Sequence, residues 1–253
     1  MSTAAAYRSQ EDPSRAVLER VSFDLMGARL TPLKECALWW EDERLLVVSD
    51  LHLEKGSSYA ARGQLLPPYD TRATLRAVAA LMDAFRPQTV ISLGDSFHDR
   101  QAEARLSAED VETIRALTAS TDWIWVEGNH DPIPPKHLGG RAALEIKRGP
   151  LTFRHEPTLE AYDGEVAGHL HPCAKIRGRS GRHVRTRCFI QNGRRLVMPS
   201  FGAYTGGLNV CDAAFADVFA HEFSVIAAGR DDVYVTPLSR LAADRQVDAH
   251  WRL

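Results

Sequence analysis

No Cys-x-x-Cys pair occurs in this sequence of 253 residues. Its four cysteines, Cys36, Cys173, Cys188 and Cys211, stand far apart, which excludes zinc-finger and thioredoxin-type motifs and predicts reduced thiols. Nor does any stretch approach the ~20 consecutive apolar residues of a membrane-crossing helix. The opening MSTAAAYRSQEDPSR is polar and mixed in charge, without the apolar core of a secretory leader. The expectation is therefore a cytoplasmic protein with no membrane association. An excess of one charge is also lacking. With 31 Lys and Arg against 33 Asp and Glu the formal net charge is -2, so a polyanion could be attracted only by a local patch. Repeats, low-complexity segments and Pro/Gly/Ser-rich linkers are absent, and the 44% hydrophobic, 25% charged composition is that of an ordinary globular domain. Residues 1–16 lack apolar periodicity and contain Pro13, so they read as a flexible tail and residues 17–253 as one domain.

What the sequence does contain is an alternation of buried strands and amphipathic helices. Apolar runs around Phe23–Leu30 and Cys36–Val48 come first, the second ending in LLVVSD, the continuous pattern of a strand buried on both faces. Tyr69–Phe85 carries Leu75, Val78, Ala79 and Met82 at helical spacing between Pro68 and Pro87. TVISLGD predicts a second strand, Ala108–Ala119 a helix with Ser107 as N-cap, and WIWVEGNHD a third strand. This order favours an α/β sheet with parallel pairs, whose ligands gather at the carboxyl ends of its strands. Shorter strands follow at Leu151–His155, Glu165–His169, His183–Ile190, Arg195–Met198 and Asp232–Val235. Asn192-Gly193 predicts a hairpin, because that pair favours the primed turns.

The strand ends deliver one kind of side chain. SDLH offers Asp50 and His52, LGDS offers Asp95, GNHD offers Asn129, His130 and Asp131, FRHEP offers His155, and GHLH offers His169 and His171. Asp50 and His52, like His169 and His171, are two apart, a spacing that extended backbone would turn to one side. Each fragment alone is weak: D-x-H is common, Gly-Asp is often a turn, and a lone His155 would ordinarily be a hydrogen-bonded core histidine. Together, carboxylates, one amide and several imidazoles fit two divalent ions sharing a bridging carboxylate. An oxygen and imidazole set without thiolate suits Mn, Fe or Zn.

In this order D-x-H, G-D, G-N-H-D, H and G-H-x-H resemble the calcineurin-like metallophosphoesterase superfamily. The segments DLHLEKGSSYA, LPPYDT, LGDSFHD, GHLHP and PSFGAYTGGL further resemble a bacterial branch, the ligase-associated DNA damage response (PdeM) endonucleases. The resemblance spans roughly Val47–Leu208. It implies a four-layer αββα sandwich of two mixed β-sheets flanked by helices. It also implies one metal ion on Asp50, His52, Asp95 and His171, and a second on Asp95, Asn129, His155 and His169, with manganese favoured. His130 would face the substrate phosphate as general acid, while a water activated between the ions attacks phosphorus. The implied substrate is DNA, single-stranded or with single-stranded regions, and the implied partners are the ligase, helicase or nuclease of a repair system. Many superfamily members carry an acidic residue three positions after the bridging Asp. Here GDSFHDR places His98 there and shifts Asp99 by one, which leaves open which of the two supports His130.

Directly after GHLHP, Lys175, Arg177, Arg179, Arg182, Arg185, Arg187, Arg194 and Arg195 crowd into a short segment. His183, Arg185 and Arg187 alternate with Val184, Thr186 and Cys188, so a strand there would carry its basic side chains on one face. Arg177, Arg179, Arg185 and Arg187 are the candidate contacts to a nucleic-acid backbone, and an edge-guarding, solubilising face is the other reading. Two further activities stay open: hydrolysis of a small nucleotide, which the same site could perform, and a non-catalytic repair scaffold, against which the complete ligand set argues.

Overall fold

A computed structural model of the chain describes residues 21–64, 66–131, 136–178, 180–220 and 223–244; the expected tail at 1–16 lies outside them. The first sheet begins as an antiparallel meander of β1 (Phe23–Leu25), β2 (Ala28–Pro32), β3 (Leu38–Trp40) and β4 (Leu45–Val48). The apolar run Cys36–Val48 is thus two strands, divided at Arg44, whose N–H bonds the Glu41 carbonyl and whose φ is +44°. Helices α1 (Lys55–Ala61) and α2 (Asp70–Phe85) lead to β5 (Thr89–Leu93), and α3 (Ala102–Arg105) and α4 (Ala108–Ala119) lead to β6 (Asp122–Val126). With β7 (Arg141–Ala143) these strands extend β4 in parallel. Ser107 caps α4 as expected, its hydroxyl accepting from the Asp110 N–H.

The second sheet holds β8 (Glu145–Arg148), β9 (Leu151–Arg154), β10 (Glu165–Ala167), β11 (Pro172–Arg177), β12 (His183–Gln191), β13 (Arg195–Val197) and β14 (Leu208–Asn209). Its order is β14-β11-β12-β13-β10-β9-β8, and β15 (Ser224–Ala228) and β16 (Val233–Thr236) branch from β12. Parallel pairs β9–β10 and β10–β13 sit beside antiparallel ones. Between β12 and β13 the Asn-Gly hairpin forms, but not with a primed turn. Only Gly193 has positive φ, while the Asn192 side-chain oxygen accepts from the N–H groups of Arg194 and Arg195. That Asx-type bonding makes a connection of residues 192–194 between the two strands.

Alternation along the strands builds the layers. Leu45 and Val47 meet Phe153, Val166, Phe189 and Leu196 between the two sheets. Leu46 and Val48 face the other way, toward Leu75, Val78, Leu81 and Met82 of α2. Both faces of β4 are therefore buried, which is why its sequence is uninterruptedly apolar. Beyond the second sheet, Cys188, Ile190 and Val197 pack on Phe215, Val218 and Phe219 of α5 (Ala213–Phe219). The result is the expected helix–sheet–sheet–helix sandwich. Each fully buried Leu or Phe contributes about 1.5–3 kcal/mol, so the platform beneath the strand ends is stiff. Among the described residues no helix is long and apolar enough to cross a membrane.

Candidate metal centre

Strands β4, β5, β6, β9 and β10 all end at one rim, and the loops that follow them are tied together by their backbones. The N–H groups of Asp50, His52 and Leu53 donate to the carbonyls of Gly94, Asp95 and Ser96; that of Phe201 donates to Ser49, and that of Gly168 to His155. Within this lattice Asp50, His52, Asp95, His169 and His171 have φ between +44° and +65°. Left-handed backbone costs such residues about 1–3 kcal/mol each and persists only where surroundings enforce it. The paired residues of SDLH and GHLH therefore converge as expected, but through left-handed kinks beyond the strands and not through extended alternation. Two glycines make room. A Cβ at Gly94 would lie 2.2 Å from His155 Nδ1, and one at Gly168 would lie 2.0 Å from Ser49 Oγ.

Three groups of converging ligand atoms result: Asp50, His52 and His171; Asp95, His155 and His169; and His52, His98 and His130. In the first, His171 Nε2 is 3.0 Å from Asp50 Oδ1 and 3.4 Å from His52 Nε2. In the second, the Asn129 side-chain oxygen lies 2.9 Å from His155 Nε2 and 3.0 Å from His169 Nδ1, and those nitrogens are 3.2 Å apart. Asp95 stands between these two groups, its Oδ2 3.4 Å from His155 Nε2 and 3.9 Å from His52 Nε2. All seven residues expected to hold metal are thus together.

Their charges follow from their surroundings. Burial opposes ionisation of Asp95, yet His155, the His130 N–H and His52 outweigh it and hold the carboxyl at about 2. Asp50 is likewise held below its usual value, against its burial, by His171, His155 and the Ser49 hydroxyl. Burial pushes His52 down to about 3 despite Asp50, so its ring is a neutral donor of lone pairs. His155 goes the other way: Asp95 and Asp50 overcome its burial and raise it to about 9. Asp131, the last residue of GNHD, lies behind the centre, where burial and then Asp95 push it up to about 8, although the Phe97 N–H donates to it at 3.1 Å.

A cation suits this donor set. His52 Nδ1 is buried without any hydrogen bond, Asp50 Oδ1 has only the His171 ring nitrogen beside it, and ring nitrogens meet nose to nose where only one of each pair could carry a proton. More lone pairs converge than there are hydrogens to fill them. The sequence from 43 to 197, well over half the chain, matches the calcineurin-like phosphoesterase family. The chain belongs to that family. It is a metal-dependent phosphoesterase by fold and by family.

Among solved structures, this phosphoesterase is similar to nuclease MPE of Pseudomonas putida, with 29% identity and a TM-score of 0.69 over 85% of this chain and 99% of that one. Yfce, a phosphoesterase from E. coli, is 17% identical over 79% of this chain and 96% of its own, with a TM-score of 0.39. Protein AQ665 of Aquifex aeolicus is 19% identical over 50% of this chain and 78% of its own, with a TM-score of 0.35. The last two are too distant to inform the site. No curated protein sequence matches significantly.

His130 of the phosphoesterase sits over the centre with 41% of its side chain exposed, Nε2 lying 3.9 Å from Asp95 Oδ2. Its Nδ1 is 2.8 Å from the His98 carbonyl, and the His98 ring stacks on it with centroids 5.6 Å apart. Asp99 turns away to Arg105, 2.8 Å distant. The basic segment behaves differently from the ligands. Arg185 pairs with Asp244 at 2.7 Å and donates to the Gly207 carbonyl. Arg187 donates to the carbonyls of Phe201, Gly202 and Thr205. Arg194 pairs with Asp163, and Arg195, buried, pairs with Glu165. Arg177 is exposed at the end of β11 opposite His183; Arg179 lies outside the described residues.

Proposed function

We propose that the protein is a manganese-dependent endonuclease of DNA repair, cutting single-stranded DNA or single-stranded regions. One ion would be held by Asp50, His52, Asp95 and His171, and the other by Asp95, Asn129, His155 and His169. The observation that carries this reading is Asp95, whose Oδ2 faces a His/Asp group on each side. Similarity to nuclease MPE over most of both chains supports nucleic acid as the substrate class. When bound, the ions would neutralise the phosphate oxygens and lower the pKa of a water enough to make hydroxide near pH 7.

The chain's own residues do the rest. The His98 carbonyl can only accept, so His130 Nδ1 carries a hydrogen. Any proton His130 delivers to the leaving oxygen is therefore the Nε2 proton of its imidazolium form, and such a general acid contributes roughly 10²–10⁴-fold. Stacking against His98 keeps that ring upright over the centre. Arg177, exposed at the end of β11, extends the reading to the flanking strand, and a repair ligase, helicase or nuclease in the cytoplasm is the proposed setting.

The experiment is incubation of circular single-stranded DNA with purified protein and manganese, beside Asp95→Ala. Linear product from the wild type and none from Asp95→Ala is expected, since only an endonuclease opens a circle. In the same series His130→Ala should slow an alkyl phosphodiester more than a nitrophenyl ester, whose leaving group needs no proton. An intact circle together with rapid nucleotide hydrolysis would replace this reading with a small-nucleotide phosphoesterase, which the near-neutral net charge also suits.

A further inference from the structure

Helix α1 covers one side of the centre, and its two faces have different neighbours. One face is fastened. The Gly56 N–H donates to Asp70 Oδ2 at 2.9 Å, so closely that a Cβ there would meet the Asp70 carboxylate at 2.5 Å. Thr71 bridges the Glu54 backbone and carboxylate, and Arg105 Nε donates to Ser57. The other face carries Lys55, Tyr59 and Arg62, spaced i, i+4 and i+7 on one side of the turn. Among the described residues neither Lys55 nor Arg62 has an ion pair or a side-chain hydrogen bond, in contrast to Arg185, Arg187, Arg194 and Arg195. Tyr59 is half-buried, and its ring lies 6.0 Å from that of His98 at an interplanar angle of 30°. His98 in turn stacks on His130, and the His130 ring is 5.2 Å from that of His52. A file of aromatic rings thus runs from the metal centre to α1, with a cation at either end of the tyrosine: Lys55, half-buried and attracted by Asp70, and the exposed Arg62.

We propose that this face of α1 is a subsite for single-stranded DNA, with Tyr59 the platform for one unpaired base and Lys55 and Arg62 contacts to its neighbouring phosphates. The proposal rests on the endonuclease reading above. An aromatic surface flanked by cations is the chemistry that holds a single strand without regard to sequence. A duplex would keep its bases stacked on one another and away from the ring. Both cations act electrostatically on His98, and Lys55 acts on His52 as well, so their charge is felt on the side of the centre that α1 covers. The fastened face of α1 gives the subsite a fixed distance from the centre.

The test uses manganese-loaded protein and a fluorescent phosphorothioate 20-mer that resists cleavage, read by anisotropy across a salt series. Tyr59→Ala should weaken binding about tenfold and Tyr59→Phe hardly at all, because the ring is retained. Lys55→Ala with Arg62→Ala should weaken it about tenfold at low salt and flatten the slope of log K against log salt by roughly 0.7 per residue. On a cleavable strand, the ratio of kcat/KM for the oligonucleotide to that for bis-p-nitrophenyl phosphate should fall by a similar factor. An unchanged slope and affinity, or equal losses on both substrates, would overturn the subsite. Photocrosslinking of the wild type to a 5-iododeoxyuridine strand does not depend on any variant folding: adducts within residues 55–62 support the proposal, and adducts confined to β11 and β12 overturn it. A wild type that hydrolyses small diesters but neither binds nor cuts any strand would instead remove the endonuclease reading beneath it.

Discussion

The β11–β12 hairpin and helix α1 both bring positive charge toward the metal centre, and they differ in what that charge already does. The hairpin and the turn after it contain the densest run of basic residues in the chain, yet Arg185, Arg187, Arg194 and Arg195 each have a carboxylate or carbonyl partner. Lys175 is 3.7 Å from Asp244. On α1 and its C-terminal cap there are only Lys55 and Arg62, and neither has such a partner among the described residues. An engaged guanidinium must surrender its hydrogen bonds before it can meet a phosphate, whereas a solvated one exchanges water and counterion. Density of charge along a sequence is therefore a poor guide to where a polyanion can bind.

The comparison breaks most visibly at Arg195. It is buried, 3.2 Å from a Glu165 carboxylate that is itself fully buried, and it also donates to the carbonyls of Thr158, Glu160 and Val218. Arg195→Ala leaves that carboxylate with only Arg154, at 3.5 Å, and the Thr158 N–H to offset its burial, at a cost of about 3–5 kcal/mol. In thermal denaturation the melting temperature should fall by roughly 10 °C for a chain of this length. Burial already raises the Glu165 carboxyl, with Thr158, Arg195 and Arg154 opposing. Losing Arg195 raises it further, so the folded variant binds protons more readily than its unfolded chain. Its deficit should shrink as pH falls toward 5 and widen as pH rises.

Arg187 sharpens the contrast. Its three carbonyl acceptors lie in the loop at 201–205, and that loop is pinned in turn to the strand end carrying Asp50: Phe201 N–H donates to Ser49 and Gly202 N–H to Asp50. Arg187→Ala should cost roughly 1.5–3 kcal/mol, the range for a hydrogen bond to a charged group. Because the disturbance reaches a metal ligand, kcat should fall by similar factors on an oligonucleotide and on bis-p-nitrophenyl phosphate. The α1 variants are expected to separate those two substrates. A substrate-selective loss at Arg187 would mean that its guanidinium turns outward to the strand.

The same distinction explains what could be read in the sequence. LLVV, TVISL and WIWV announced their strands because both faces of each are buried, and α2 announced itself through Leu75, Val78 and Met82. Asp50, His52, Asp95 and Asn129 were legible because each follows such a strand, and His155, His169 and His171 because they follow the shorter strands β9 and β10. Helix α1 was not: Gly56, Ser57 and Ser58 are weak helix formers, and bonds to Asp70, Thr71 and Arg105 make the helix there. Its 55, 59 and 62 periodicity was the available signal. The partners of the arginines were also invisible, since Asp244 lies 59 positions from Arg185 along the chain. Nor could GNHD reveal that Asp131 is pushed up to about 8, because burial is a property of the packed sandwich and not of the motif.

The smallest effect belongs to Arg177, and it tests the geometry of the comparison. β11 leaves the centre at Pro172, directly after His171, and carries Arg177 to its far end. At about 3.3 Å per residue that position is roughly 20 Å from the metal ligands. The register sets it opposite His183, away from the Arg185–Asp244 pair. A phosphate could reach Arg177 only on a strand that has already passed the centre and continued along the hairpin. Arg177→Ala should therefore lower the salt slope of binding by about 0.7 for a 20-mer. For a strand of about four nucleotides, too short to span that distance, the slope should stay as it is. Lys55→Ala should lower the slope for both lengths, because its phosphate neighbours the one being cut. Equal effects of Arg177→Ala on short and long strands would bring the hairpin tip next to the centre, contrary to the register, while no effect on either would confine the bound strand to the α1 side.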